Sequence, residues 1–134
     1  TVTDDLGVKK DVSSFVVPVG ATINMDGTAI MQGLATMFIA STAGVDLSMI
    51  EYMQIVLLAM VASIGTAAVP SAGTITLALI LSSLGLPLDA IGLILAVDRI
   101  LDMIRTSVNV TGDSAVACIV ANSENLLDTE VFNK

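Results

Sequence analysis

The 134-residue sequence has no histidine, no tryptophan, a single cysteine and three prolines. Without histidine there is no imidazole base and no His-ligated metal centre, and one cysteine leaves neither a disulfide framework nor a Cys-rich zinc module. Three prolines exclude collagen and a Pro-rich linker. Bases are scarce too: five Lys and Arg stand against thirteen Asp and Glu, a net charge of −8. No basic cluster exists beyond Lys9-Lys10, so phosphate backbones find no electrostatic footprint and nucleic acid is not the partner. The aromatics are Phe15, Phe38, Tyr52 and Phe132, too few for a membrane-interface girdle, so the helices are expected to touch other protein more than lipid. What the sequence does have is apolar surface. The hydrophobic set makes up 54% of residues and charged residues 13%, with mean hydropathy +0.91, which predicts a membrane protein.

The opening Thr1-Val2-Thr3-Asp4-Asp5 has no initiator Met, basic n-region or cleavage site, so the expectation is a piece of a larger chain rather than a signal peptide. Residues 1–11 are polar and read as a loop. Residues 12–21 are apolar over roughly 15 Å of helix, about half of a 30 Å hydrocarbon core. Thr22-Ile23-Asn24-Met25-Asp26-Gly27-Thr28 interrupts the run, and residues 29–43 resume it, so residues 12–43 are predicted as one broken transmembrane helix. Residues 44–48 are turn-like, and Asp46 or Ser48 is placed to cap the next helix. Residues 49–86 carry two half-length apolar arms joined by the hydroxyl- and glycine-rich tip of residues 63–74. That pattern fits a re-entrant hairpin; two complete spanning helices are the alternative, which draws Glu51 or Asp89 toward hydrocarbon. Residues 87–121 are predicted as a last transmembrane helix, a single long helix from about Ile91, with Asp89 as its cap. Residues 122–134 read as a frayed acidic tail.

In that last helix Asp98, Asp102, Arg105, Asn109 and Asp113 recur every three or four residues and fall within an arc of roughly 80° at about 100° per residue. A charge at the bilayer centre costs at least about 2.5 to 3.5 kcal/mol, so such a stripe must face protein, ions or water. One reading is a structural ladder in which Arg105 neutralises Asp102 at i, i+3. The other is a binding site. The stripe carries more acids than one arginine can satisfy, and Asn24 and Asp26 add oxygens in the first break. Interrupted helices also leave backbone carbonyls at membrane depth, tolerated where they line a cavity. Carbonyls and carboxylates suit hard cations, helix ends meeting near the midplane are the pattern of secondary transporters, and the guanidinium fork of Arg105 suits a carboxylate.

At these residues the sequence resembles the dicarboxylate/amino acid:cation symporters, the glutamate transporter family. Asn24-Met25-Asp26-Gly27-Thr28 is similar to the family's seventh-helix break. Ser63-Ile64-Gly65-Thr66-Ala67-Ala68-Val69-Pro70-Ser71-Ala72-Gly73 is similar to its second hairpin tip. Asp102-Met103-Ile104-Arg105-Thr106-Ser107-Val108-Asn109-Val110-Thr111-Gly112-Asp113 is similar to its eighth helix. The three occur in the family's order. The resemblance implies an all-α membrane protein, a fragment of a larger multi-span transporter in the cell (inner) membrane, performing sodium-coupled symport of glutamate or aspartate. It implies that Asp102 takes the substrate amino group, Arg105 the side-chain carboxylate, Thr106 and Asn109 the main-chain groups, and that Thr28 sits beside the distal carboxylate. Val69, Pro70, Ala72 and Gly73 would form a lid. One sodium ion would be held by Asp113 with carbonyls of Gly20, Asn24 and Asn109; a second by Thr22, Ser63, Ile64 and Thr66 with Met25 nearby; a third partly by Asn24 and Asp26. Asp98 receives no ligand role.

The serine-rich first hairpin, the third-helix residues that complete the third sodium site and the scaffold helices of the family's trimer are not in this sequence, and the resemblance places that hairpin just before Thr1. Arg105 points to acidic amino acids; symport of C4-dicarboxylates or neutral amino acids by the same fold is the alternative, and an intramembrane aspartyl protease built on Asp26 and Asp113 a remote one. Cys118 reads as a packing residue, and of seven methionines only Met25 lies within a motif. Asn109-Val110-Thr111 matches a glycosylation pattern inside the predicted helix and is taken as incidental.

Overall fold

The computed structural model describes residues 1–65 and 72–134, at Ala72 the backbone alone. The predicted all-helical architecture is what it shows. The first break is shorter than the polar stretch that signals it. Helix α1, Lys10–Ile23, runs through Thr22, and α2, Asp26–Thr42, begins directly at Asp26, leaving only Asn24 and Met25 between them. The Asn24 N–H still donates to the Gly20 carbonyl at 2.8 Å, and Thr28 and Ala29 both donate to Met25 O at 3.0 Å. Pro18, inside α1, has no N–H to give to the Ser14 carbonyl.

Gly44, at φ +68°, ends α2 in the left-handed conformation, and Val45 N–H returns to Ala40 O at 3.0 Å, a Schellman closure. Helix α3, Met49–Gly65, is opened by Ser48. Glu51 accepts from both the backbone N–H and the hydroxyl of Ser48 at 2.7 Å, while Ser48 Oγ accepts from Glu51 N–H at 3.4 Å, a reciprocal capping box. Of the two predicted caps, the structure uses Ser48. Helix α4, Ala72–Ser83, closes on Gly85 at φ +67°, with Leu86 N–H to Leu81 O at 2.9 Å. At about 26 Å and 18 Å, α3 and α4 are each shorter than a 30 Å hydrocarbon core.

The predicted single last helix is divided. A 3-10 turn, Leu88–Ala90, leads into α5, Ile91–Leu95, and then α6, Asp98–Ser123. Asp89 makes no side-chain cap. Val97, at φ −115° and ψ 4°, breaks the run and leaves Asp98 in the first turn of α6, where a carboxylate complements the positive end of the helix dipole. Residues 122–134 are not frayed either. Val8 and Leu127 form an antiparallel bridge, Lys9 N–H reaches Leu126 O at 3.1 Å, and Asp128 N–H reaches Gly7 O at 2.8 Å. Asp128 then caps α7, Thr129–Phe132.

Helix α6 packs along both α1 and α2, so the broken helix lies against it over the break, and the α3–α4 pair covers α2 from another side. One core joins Met31, Ala35 and Ile39 of α2 to Leu77 and Leu81 of α4 and Ile94 of α5. A second, at the opposite end, joins Val8, Val12, Ala117 and Ala121. Exposed surface totals 8165 Å², against roughly 6,600 Å² for a compact soluble chain of this mass. Large apolar side chains are among the exposed ones: Met49, Met53, Val56, Met60 and Ile64 form one uncovered stripe of α3. Among the described residues no helix is both long and apolar enough to cross a membrane.

Candidate functional site

The polar stripe of α6 lies against the α1–α2 junction because both surfaces carry small residues where the backbones meet. Gly20 rests on the Asp113 carboxylate, Gly27 on the Arg105 carbonyl and Gly112 on the Asn24 side-chain amide, each with no room for a Cβ. Asp113 is 7% exposed, and Asn24 Nδ2 donates to its Oδ1 at 3.0 Å. One neutral donor is modest compensation for a buried carboxylate. One turn earlier, Asn109 Oδ1 accepts from the Gly27 N–H at 2.8 Å, and its Nδ2 lies 3.4 Å from both Met25 Sδ and Thr28 Oγ1. The Thr28 hydroxyl, itself buried, also donates to Met25 Sδ at 3.4 Å. Gly20, Asn24, Met25, Thr28, Asn109 and Asp113 therefore form one contiguous cluster.

A second group lies one turn further toward the start of α6. The Arg105 guanidinium pairs with the Asp102 carboxylate, the side chains being 12% and 40% exposed. Nη1 of Arg105 reaches Met31 Sδ at 3.7 Å and rests on the bare backbone of Gly73 at the start of α4. Next to Met31 in sequence, Gln32, fully buried, donates from Nε2 to Thr76 Oγ1, while its Oε1 has no partner among the described residues. A cleft of about 250 Å³ opens beside this group, lined by Gly27, Met31, Leu34, Ile104, Arg105 and Val108 among others.

Other predicted site residues are not drawn in. Asp26 is exposed, and the Asn24 amide serves Asp113 rather than Asp26. Thr22 turns its hydroxyl onto Pro18 O at 3.0 Å and Ser63 onto Met60 O at 2.8 Å, both within their own helices, and Ile64 is exposed. Thr106 is exposed on α6. Thr66, Val69 and Pro70 lie outside the described residues, as does the Ala72 side chain. Among the described residues no three acidic or Cys side chains converge on a metal position. At Asp113 the structure sets one carboxylate against the Asn24 Nδ2 donor and the bare backbone of Gly20, while the Asn109 oxygen is taken up by the Gly27 N–H. Gly27, Met31, Gln32 and Gly112 were not among the predicted site residues. An amide within an apolar run is a signal by which Gln32 could be found; Met31 and the glycines carry no such signal.

A helix interrupted at two residues and packed by small residues against a helix with a polar stripe shares the discontinuous-helix pattern that recurs in secondary transporters. Residues 1–123 match the sodium:dicarboxylate symporter family, SDF, and the chain belongs to it. The chain is 53% identical over 127 residues to excitatory amino acid transporter 2 of Mus musculus, covering 94% of this chain and 22% of that protein. It is 53% identical over 117 residues to the excitatory amino acid transporter of Caenorhabditis elegans, 87% of this chain and 23% of that one. Identity to human excitatory amino acid transporter 1 is 49% over 128 residues, 96% and 23%. The chain spans about a fifth of the length of these curated relatives. The family is one of transporters, not enzymes, which removes the aspartyl protease alternative.

Proposed function

We propose that this chain carries the substrate- and cation-binding part of a multi-pass plasma-membrane carrier performing sodium-coupled symport of acidic amino acids, glutamate or aspartate. The observation that carries this reading is the Asp102–Arg105 pair. Opposite charges one turn apart on α6, partly open and next to the Asn24–Asn109–Asp113 cluster, match a zwitterion bearing an extra carboxylate. Asp102 takes the substrate ammonium and Arg105 the side-chain carboxylate, so substrate exchanges the internal pair for two external ones. Thr28, Thr106 and Asn109 complete the polar lining, with Val69, Pro70, Ala72 and Gly73 assigned to the lid. A C4-dicarboxylate would set a second carboxylate against Asp102, and a neutral amino acid would leave Arg105 without its partner. The charge pair therefore favours an acidic amino acid over both.

One sodium ion is assigned to Asp113 with the carbonyls of Gly20, Asn24 and Asn109. A second is assigned to Thr22, Ser63, Ile64 and Thr66 with Met25 nearby, and a third partly to Asn24 and Asp26. Asn109 links the two functions: its amide touches both the Thr28 hydroxyl and the Gly27 N–H at the break. In this reading residues 12–43, 49–86 and 87–121 are the broken helix, the re-entrant hairpin and the last transmembrane helix. The rest of the transporter, surrounding lipid and two further copies of a homotrimer cover the exposed apolar faces. Competition uptake in the full-length carrier containing this sequence is the test. Aspartate and glutamate should inhibit strongly and only with sodium present; inhibition by succinate or serine at equal concentration would overturn the assignment.

A further inference from the structure

We infer that Met31 is a specificity-determining positioning residue, holding Arg105 for an acidic substrate without competing for its charge. This rests on the function proposed above. Three elements meet at the guanidinium: Asp102 of α6 binds Nη2, Met31 Sδ of α2 lies 3.7 Å from Nη1, and Gly73 of α4 backs Nη1 with bare backbone. A guanidinium offers five N–H donors, and among the described residues only these two acceptors engage it.

The position of Met31 is fixed from both directions. It is 9% exposed and belongs to the core with Ala35, Leu77 and Ile94. It also lies one turn beyond Gly27, whose backbone rests on the carbonyl of the same arginine. Arg105 thus lies across α2, its main chain on Gly27 and its charged end at Met31. The acceptor type matters. A thioether is a weak hydrogen-bond acceptor, so it orients Nη1 and yields it readily to a carboxylate. An oxygen acceptor of the same reach would form a charge-assisted bond, and the substrate carboxylate would have to displace it.

Two substitutions in the full-length carrier separate this from packing. Met31→Gln keeps the unbranched shape and brings an amide oxygen to Nη1; KM for aspartate should rise roughly tenfold with maximal rate and surface abundance little changed. Combined with Arg105→Cys, the same substitution should leave KM for serine unchanged, because there is no guanidinium to capture. Met31→Leu, which conserves volume, removes the acceptor; the ratio of KM values for aspartate and glutamate should shift roughly two- to fivefold as Nη1 loses its fixed direction. Unaltered aspartate KM in Met31→Gln, an equal shift in the Arg105→Cys background, or an unchanged ratio in Met31→Leu would each overturn the inference. A wild-type carrier that takes no acidic amino acid would overturn the proposed function and this inference with it, whereas normal wild-type uptake with an insensitive Met31 overturns the inference alone.

Discussion

Gly27 and Gly33 lie on the same helix, and exchanging each for alanine isolates the contact that joins the broken helix to α6. At Gly33 nothing lies within 4 Å of an added Cβ, so Gly33→Ala gains only helix propensity, about 1 kcal/mol. At Gly27 the same methyl meets the Arg105 backbone carbonyl and comes 3.0 Å from Asn109 Oδ1. A backbone oxygen cannot rotate away, so α2 and α6 must part, which strains the 2.8 Å bond from the Gly27 N–H to Asn109. Overpacking of this kind costs about 1–3 kcal/mol. Gly27 is the second residue of α2 and Gly33 is interior, so Gly27→Ala gains no more propensity than Gly33→Ala and should be the less stable by at least about 1–3 kcal/mol. Thermal unfolding of both variants of the full-length carrier in detergent measures it. Parting the helices at Arg105 and Asn109 also displaces both halves of the proposed site, so aspartate affinity should fall in Gly27→Ala and not in Gly33→Ala. Equal stability and equal affinity in the two variants would refute the close approach of α2 and α6 at this turn.

Asp113→Asn keeps the side-chain shape and removes a formal charge from the oxygen cluster, so the sodium concentration for half-maximal substrate binding should rise at least several-fold while the protein stays folded; sodium titrations of wild type and variant measure this. Arg105→Cys should weaken aspartate and glutamate at least tenfold, from the loss of one or more charge-assisted bonds of about 1.5 to 3 kcal/mol, and leave serine far less affected in competition uptake. Val8→Ala empties a fully buried position between α1 and α6. It should cost about 2 kcal/mol and release the 125–134 segment, read as faster carboxypeptidase trimming.

The sequence made the site's framework visible where polarity interrupted apolarity. The stripe from Asp102 to Asp113 and the Asn24-to-Thr28 motif are conspicuous because charge and amides are out of place in apolar helices, and the structure sets those two segments face to face. The extent of the break was less legible. Four polar side chains and a glycine mark it, yet helical hydrogen bonding continues through Thr22 and restarts at Asp26, because a glycine or threonine tolerates a helix end as well as a loop. The single last helix failed at Val97, a residue with no breaking tendency of its own; composition alone does not distinguish a continuous helix from one that restarts at Asp98. The 122–134 segment looked frayed because its anchor, Val8, lies at the other end of the chain, and periodicity carries no information on such pairs. Met31 was hidden for the opposite reason to Arg105: an apolar residue in an apolar run reads as packing, and only its distance to Nη1 distinguishes it.

In the proposed function, a sodium-linked site for an acidic amino acid is assembled where α6 meets the α1–α2 junction. Its most direct test is uptake of radiolabelled aspartate by the full-length carrier in liposomes, with an inward sodium gradient or with choline in its place, for wild type and Asp113→Asn. Accumulation by the wild type that requires sodium, and that in Asp113→Asn recovers only at higher sodium, is the predicted result. Accumulation that is indifferent to sodium, or identical sodium curves for both proteins, would contradict it.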